Sequence, residues 1–291
     1  MSRLSLAVIT DDPPADGGLA AAVERDHHVA SHRVAIGGEF PAGVDGVVVD
    51  VPLAKRAEAL SMIGGRPDVP VLAEMPVAPS VQQGRALAET LSGRPVVSLN
   101  PLAYHVPTKR LLDLIAGGID PLETFFAVWR FHPADGWDQA LARGVGFAGS
   151  LTRSVPIRIS ALHRPSPSVL IALLRYENGV VGSFELGSHL PDAAPRFPEL
   201  LIECFCHDSA YHCRAENQAI TLEGDSRIHR DWAPDPAVAM LTAFLDVIRG
   251  DNGPHRGLED DLKTLAVCEE MLAAATSRNV RRPADVVSPP A

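Results

Sequence analysis

The sequence predicts an α/β protein in two parts: a reduced parallel-sheet domain, then an α/β domain with a large, mostly antiparallel sheet. Three observations predict it. Short apolar strands alternate with helical segments through the first hundred residues, the pattern of a parallel sheet with covering helices. Past residue 120, longer strands follow one another through tight turns. The chain, at 291 residues, exceeds the usual size of one domain.

Residues 4–10 (LSLAVIT) are apolar and rich in β-branched side chains, the mark of a buried strand. Asp11, Asp12, Pro13, Pro14, Asp16, Gly17 and Gly18 then form a turn cluster. A helix is expected over 19–25, favoured by Ala20, Ala21 and Ala22, and a strand over 29–36. Residues 44–51 (VDGVVVDV) are almost continuously apolar, as a strand covered on both faces should be. Pro52 ends it, and a helix over 53–63 runs to Gly64 and Gly65. Strands over 69–74 and 96–100 enclose a helix over 81–91 with Ser80 as its N-cap. One connection is short: only GGEFPAGV separates the second strand from the third. A parallel crossover that carries a helix needs roughly a dozen residues or more. The usual crossover helix is therefore expected to be missing or reduced to a turn.

Residues 106–116 form an amphipathic helix closed by Gly117 and Gly118. Strands are expected over 122–132, 157–162, 169–176, 180–186, 200–206, 211–215 and 219–222, with Glu177-Asn178-Gly179 as a hairpin turn. A helix over 236–249 has Asp235 as N-cap and Pro236 at its first position. A second covers 257–278, and the proline-bearing tail 283–291 is expected to be loose. The boundary is placed near Asn100, giving domains 1–100 and 101–291.

Charge and composition narrow the function. With 26 basic and 36 acidic side chains, the net charge of −10 argues against nucleic acid as a partner. No apolar stretch approaches the roughly 20 residues of a membrane helix. Met1-Ser2-Arg3-Leu4 lacks a signal-peptide pattern, because Asp11 and Asp12 interrupt the apolar run. A soluble cytoplasmic protein is expected. Four cysteines in a chain this long suggest no disulfide framework.

Several segments together resemble the Gfo/Idh/MocA oxidoreductases, relatives of glucose–fructose oxidoreductase and inositol dehydrogenase. Val44-Asp45-Gly46-Val47-Val48-Val49 with Pro52 looks like the family's third strand and Pro-containing loop. Val71-Leu72-Ala73-Glu74-Met75-Pro76-Val77-Ala78 looks like its Glu-Lys-Pro motif. Residues 107–118 are similar to the first helix of its second domain, 174–183 to its sheet hairpin, and 244–250 to its C-terminal segment. The resemblance implies a Rossmann-like first domain that binds NAD or NADP, hydride transfer with a small hydroxylated metabolite, and assembly through the second domain's sheet. It puts Thr10, Pro52, Glu74 and Pro76 at cofactor-binding positions.

The residues depart from that pattern at the chemistry. The turn after the first strand should approach a pyrophosphate through glycine backbone. Here it holds two prolines and three aspartates. No acid follows the second strand for a ribose, since Ile36 runs into Gly37-Gly38 with Glu39 the nearest candidate. Met75 stands at the motif lysine, and only Lys55, Lys109 and Lys263 exist in the chain. The family's Asp and His, four apart on one helix, align with Ser150 and Ser154 in GVGFAGSLTRSV. These losses predict that NAD(P) binds weakly or not at all. Three functions then compete: a divergent NAD(P)-dependent dehydrogenase or reductase of a sugar, cyclitol or specialised metabolite, a non-redox enzyme, and a non-catalytic subunit. The non-redox enzyme would use Tyr104, His105 and Glu74 as its acid–base groups.

Two further groups stand out. Cys204, Cys206, His207, His212 and Cys213 are dense enough to ask about zinc, but lack the Cys-x2-Cys knuckle, and core cysteines are the favoured reading. No metal is expected. His189 is placed near the end of a hairpin strand as a weaker site candidate. Trp129, Phe131, Val169, Ile171 and Leu173 offer alternating apolar positions for a sheet-mediated homo-oligomer, or a hetero-oligomer with a paralogue.

Overall fold

A computed structural model describes residues 3–11, 18–63, 68–118, 120–131, 133, 136–165, 168–188, 199–216, 219–224, 227–231, 236–250 and 256–282. The expected caps and turns at 12–17, 64–65 and 235, His189 and the tail 283–291 lie outside the described residues. The chain divides into two compact units, Met1–Tyr104 with Asp235–Leu262, and His105–Pro234 with Lys263–Ala291.

The first unit carries a five-stranded parallel sheet in the order β2-β1-β3-β4-β5. Its strands are β1 (Leu4–Thr10), β2 (Val29–Val34), β3 (Gly46–Asp50), β4 (Val71–Glu74) and β5 (Val96–Leu99). Helices α1 (Gly18–Arg25), α2 (Leu53–Ser61) and α3 (Val81–Thr90) connect them. Ser80 caps α3 by accepting from the Gln83 N–H. As expected, no helix joins β2 to β3 among these residues. Instead Gly37-Gly38 turns the chain, and Ile36, Phe40 and Val44 seal the core on the side of α2 and α3. The segment thus covers the sheet with side chains where a helix would otherwise lie.

Both faces of a parallel sheet must be buried. The second face is covered by α1 and by a helix from far along the chain, α6 (Pro236–Ile248). Ala237, Met240, Leu241, Phe244 and Leu245 of α6 pack with Leu6, Val8, Val48 and Leu72. The approach is close at Gly46, where an added Cβ would lie 2.7 Å from Ile248 Cδ1. The expected boundary near Asn100 did not anticipate this return of 235–262 to the first unit.

The second unit holds an eight-stranded sheet in the order β13-β12-β11-β10-β6-β9-β8-β7. The strands are β6 (Leu122–Arg130), β7 (Pro156–Pro165), β8 (Ser168–Tyr176), β9 (Val181–Gly187), β10 (Glu199–Cys206), β11 (Ala210–Glu216), β12 (Ala219–Gly224) and β13 (Arg227–Asp231). All neighbours are antiparallel except β6 and β9. The strand β13 is an addition to the sequence reading. Glu177-Asn178-Gly179 makes the expected turn, with Gly179 at φ +92°. The helices are α4 (Val106–Ala116), α5 (Trp137–Thr152) and the C-terminal stretch of α7 (Leu258–Ser277). Arg281 pairs with Ile159 in an isolated bridge beside β7.

Register decides which side chains of this sheet are buried. Trp129 pairs with Leu186, and Leu186 with Leu170, all buried. Val128 pairs with Glu185, and Glu185 with Ile171, one residue out of phase. Trp129 and Phe131 are therefore buried at 3% and 1% exposure, while Ile171 and Leu173 are open at 49% and 55%. Their grouping as one apolar face is corrected accordingly.

Two glycines let aromatic rings lie flat on that buried face. A Cβ on Gly182 would collide with the ring of Phe125, its cross-strand partner, and one on Gly144 would collide with Phe184. Gly182→Ala should cost roughly 1–3 kcal/mol by forcing Phe125 from its place. Urea unfolding measures this, and an unchanged midpoint would show that the ring yields freely.

Candidate functional site

Open doubly wound sheets take ligands beyond the carboxyl ends of their strands, where the strand order reverses. In the first unit that point lies between β1 and β3. Thr10 at the end of β1 is the register partner of Asp50 at the end of β3. Pro52 follows as the N-cap of α2. Glu74 at the end of β4 pairs with Leu99 of β5. A 3-10 turn, Pro101–Ala103, leads from β5 to Tyr104. Thr10, Pro52, Glu74 and Tyr104 thus all follow the same edge of one sheet. His105 opens the second unit.

Asp50 was not singled out in the sequence. Its Oδ2 accepts from the Ala20 N–H at 2.7 Å. Ala20 lies in the first turn of α1, where backbone N–H groups have no partner within the helix. The cap is thus supplied by a neighbouring strand. Beside it, Lys55 donates to both carboxylate oxygens of Asp11 at 3.1 Å in an exposed ion pair. Thr10 is nearly buried, and its hydroxyl donates to the Asp11 carbonyl.

The segment from Glu74 to Val77 is held from beneath. Arg56, only 3% exposed, donates from Nη1 to the carbonyls of Glu74 at 2.7 Å and Pro76 at 2.6 Å, and from Nη2 to that of Val51 at 3.2 Å. Its Nη2 also stands 3.9 Å from Glu74 Oε2. A guanidinium is tolerable this deep only when its donors find acceptors. Asp261, in the first turn of α7, accepts from the Val77 N–H at 2.7 Å. The Met75-Pro76 peptide is cis. Met75 is fully buried, while Glu74 is half-buried. Burial pushes the Asp261 carboxyl up to about 6, against the opposing pull of the Val77 N–H, Ser98, Arg256 and Arg56.

Tyr104 packs its ring against the core shared by α1 and α6. Burial raises its phenol above the ordinary value. His105 is 5% exposed and is the N-cap residue of α4, its carbonyl accepting from Thr108 Oγ1 and the Lys109 N–H.

Ser150 and Ser154 are not a pair on one helix face. The helix α5 ends at Thr152, and Arg153 turns the chain with φ 52°. Ser150 donates to the Gly146 carbonyl, while Ser154 Oγ accepts from the Asn178 N–H. The cysteine and histidine group is split by strand alternation. Cys204, Cys206 and Cys213 are buried, whereas His212 pairs with Glu203 and His207 with Glu123 on exposed surface. Burial pushes the Cys213 thiol up to about 12. Among the described residues, no three His, Cys, Asp or Glu side chains are grouped to hold a metal ion, and no helix is long and apolar enough to cross a membrane.

No protein-family model matches the chain, and no curated protein sequence matches it. Its fold is nonetheless that of solved oxidoreductases. A probable dehydrogenase from Thermotoga maritima superposes with TM-score 0.80 at 12% identity, over 97% of this chain and 100% of that one. An oxidoreductase from Agrobacterium radiobacter, in complex with NAD+, L-tartaric acid and magnesium, gives 0.74 at 15% identity over 97% and 99%. The aldose-aldose oxidoreductase of Caulobacter crescentus, complexed with glycerol, gives 0.74 at 14% over 96% and 99%. The class defined is a two-domain α/β fold with a Rossmann-like sheet and a large mixed sheet.

Three described positions bear on how a dinucleotide could lie on such a sheet. A phosphate could reach the Ala20 N–H only by displacing Asp50. At the end of β2, Glu39 is exposed beyond the Gly37-Gly38 turn. Met75 carries no proton to give.

The buried Asp261 yields a pH-dependent expectation. Its folded-state pKa lies above that of an unfolded chain, so its protonated form favours folding. That contribution is present at low pH and is lost as pH rises through about 4 to about 6. Asp261→Asn keeps an acceptor for Val77 and cannot ionise. Its unfolding free energy relative to wild type should therefore climb between pH 4 and pH 7, by ~1.4 kcal/mol for each tenfold difference in proton affinity. Urea titrations across that range measure it, and a flat difference would contradict the burial argument.

Proposed function

We propose that the chain is a divergent Gfo/Idh/MocA homologue that binds or acts on a small hydroxylated metabolite without hydride transfer. Met75 carries this reading. It stands between Glu74 and the cis-linked Pro76, fully buried, where the motif it resembles has a lysine. A thioether can neither donate a proton nor orient a substrate hydroxyl. Two activities remain compatible: non-redox acid–base chemistry by Glu74, Tyr104 and His105, or a non-catalytic role beside a family paralogue. The rival reading is an active NAD(P)-dependent dehydrogenase of a sugar, cyclitol or specialised metabolite. It draws on solved structures of the same fold, one of which holds NAD+.

Fluorescence titration with NADH and NADPH decides between them. The proposed reading expects dissociation constants weaker than roughly 1 mM for both. A micromolar constant for either restores the dehydrogenase.

The second unit's open sheet face supports self-association. Leu162, Ile171, Leu173 and Phe205 are 63%, 49%, 55% and 43% exposed, around the Arg130–Glu185 ion pair. Apolar side chains this exposed on one sheet mark an interaction surface. Sedimentation at micromolar concentration should show an oligomer, and Leu173→Glu should shift it to monomer. A monomeric wild type would remove the proposal.

A further inference from the structure

Among the described residues of β3 (GVVVD), Asp50 is the one charged side chain, and it closes the strand at the switch point of the sheet. Its carboxylate lies along the first turn of α1. Oδ2 accepts from the Ala20 N–H at 2.7 Å, and a Cβ built on Gly18 would stand 3.2 Å from Oδ2 and 3.6 Å from Oδ1. A helix N-terminus carries roughly half a positive charge and favours an anion. In dinucleotide-binding sheets the ligand's pyrophosphate supplies that anion, at the N-terminus of the helix that follows the first strand. In this chain the anion is part of the protein.

We propose that Asp50 is the specificity-determining residue of the first unit: its carboxylate takes the place of a ligand phosphate at α1 and so turns phosphate-bearing ligands away. The proposal rests on the reading that NAD(P) is not a working cofactor, and names the side chain responsible. Two features make Asp50 the discriminating charge. Of the described carboxylates at this edge, Asp11 bonds Lys55 and Glu74 stands near Arg56, while Asp50 bonds the backbone of α1. Asp45, at the opposite end of the same strand, bonds the Ser5 N–H and serves as a control of equal charge. A ligand accepted at this edge must leave the contact between Asp50 and α1 intact, which suits a neutral hydroxylated molecule and not a nucleotide.

The test uses the full chain and NADH, with folding of each variant checked by thermal unfolding. Asp50→Asn keeps an oxygen acceptor for the Ala20 N–H while removing the charge, and Asp50→Ala removes both. Asp50→Asn should bind NADH roughly tenfold or more tightly than wild type, as loss of a like charge beside a phosphate implies. The gain should shrink with added salt, and ADP should compete for it. Asp45→Asn should match wild type. If both folded Asp50 variants bind no better than a non-binding wild type, Asp50 is not the gate, and the reading under Proposed function stands without it. If Asp45→Asn gains as much, the effect is net charge and the proposal falls. Micromolar binding by wild type overturns the proposal and that reading together.

Discussion

A parallel sheet has to be covered on both faces, and the first unit is organised around that requirement. Its strands are too apolar to face water, yet the chain between β2 and β3 is too short to supply a helix. That connection covers one side with the side chains of Ile36, Phe40 and Val44, and α6 returns from far along the chain to cover the other. Returning the chain for this purpose also brings in the start of α7. Asp261 then lies under Val77, so a packing necessity fixes the backbone that carries Glu74 and Met75. Arg56 completes the support from α2, tying Val51, Glu74 and Pro76 to one guanidinium.

Strand ends of a doubly wound sheet are a general ligand platform, and the first helix offers backbone donors there to an anion. Whether the anion arrives with a ligand or belongs to the protein depends on what the neighbouring strand ends with. Here β3 ends with Asp50, whose carboxylate accepts from the Ala20 N–H.

In the second unit, the buried face of the sheet is packed by ring-over-glycine contacts, Phe125 on Gly182 within the sheet and Phe184 on Gly144 of α5, the second of which brings the helix close. The open face keeps large aliphatic side chains. Alternation along each strand separates the two sets, and it places the thiols of Cys204 and Cys213 inside while His207 and His212 stand outside. A dense local cluster in the sequence thereby becomes two unrelated environments.

Most elements were legible because apolar periodicity and turn residues act over a few neighbours: VVVD had to be a buried strand, and Glu177-Asn178-Gly179 had to turn. The place of Tyr104 just after the carboxyl end of a strand followed from the strand pattern. Less was legible where distant segments meet. The face on which Trp129 lies depended on its pairing with Leu186, and a one-residue offset in register moves a side chain to the other face. The length of α5, and with it the separation of Ser150 from Ser154, was hidden by its glycines. Asp50 offered a signal, a charge ending an apolar run, but its partner on α1 is 30 residues away in sequence. Asp261 offered none, being one acid among Glu259, Asp260 and Asp261 in the first turn of α7. By itself the sequence determined the elements, the class of sheet and the absence of a lysine beside Glu74. Only the tertiary structure decided which charges are buried and what each one faces, because those energies depend on distance and solvent exclusion between segments that the chain does not hold next to each other.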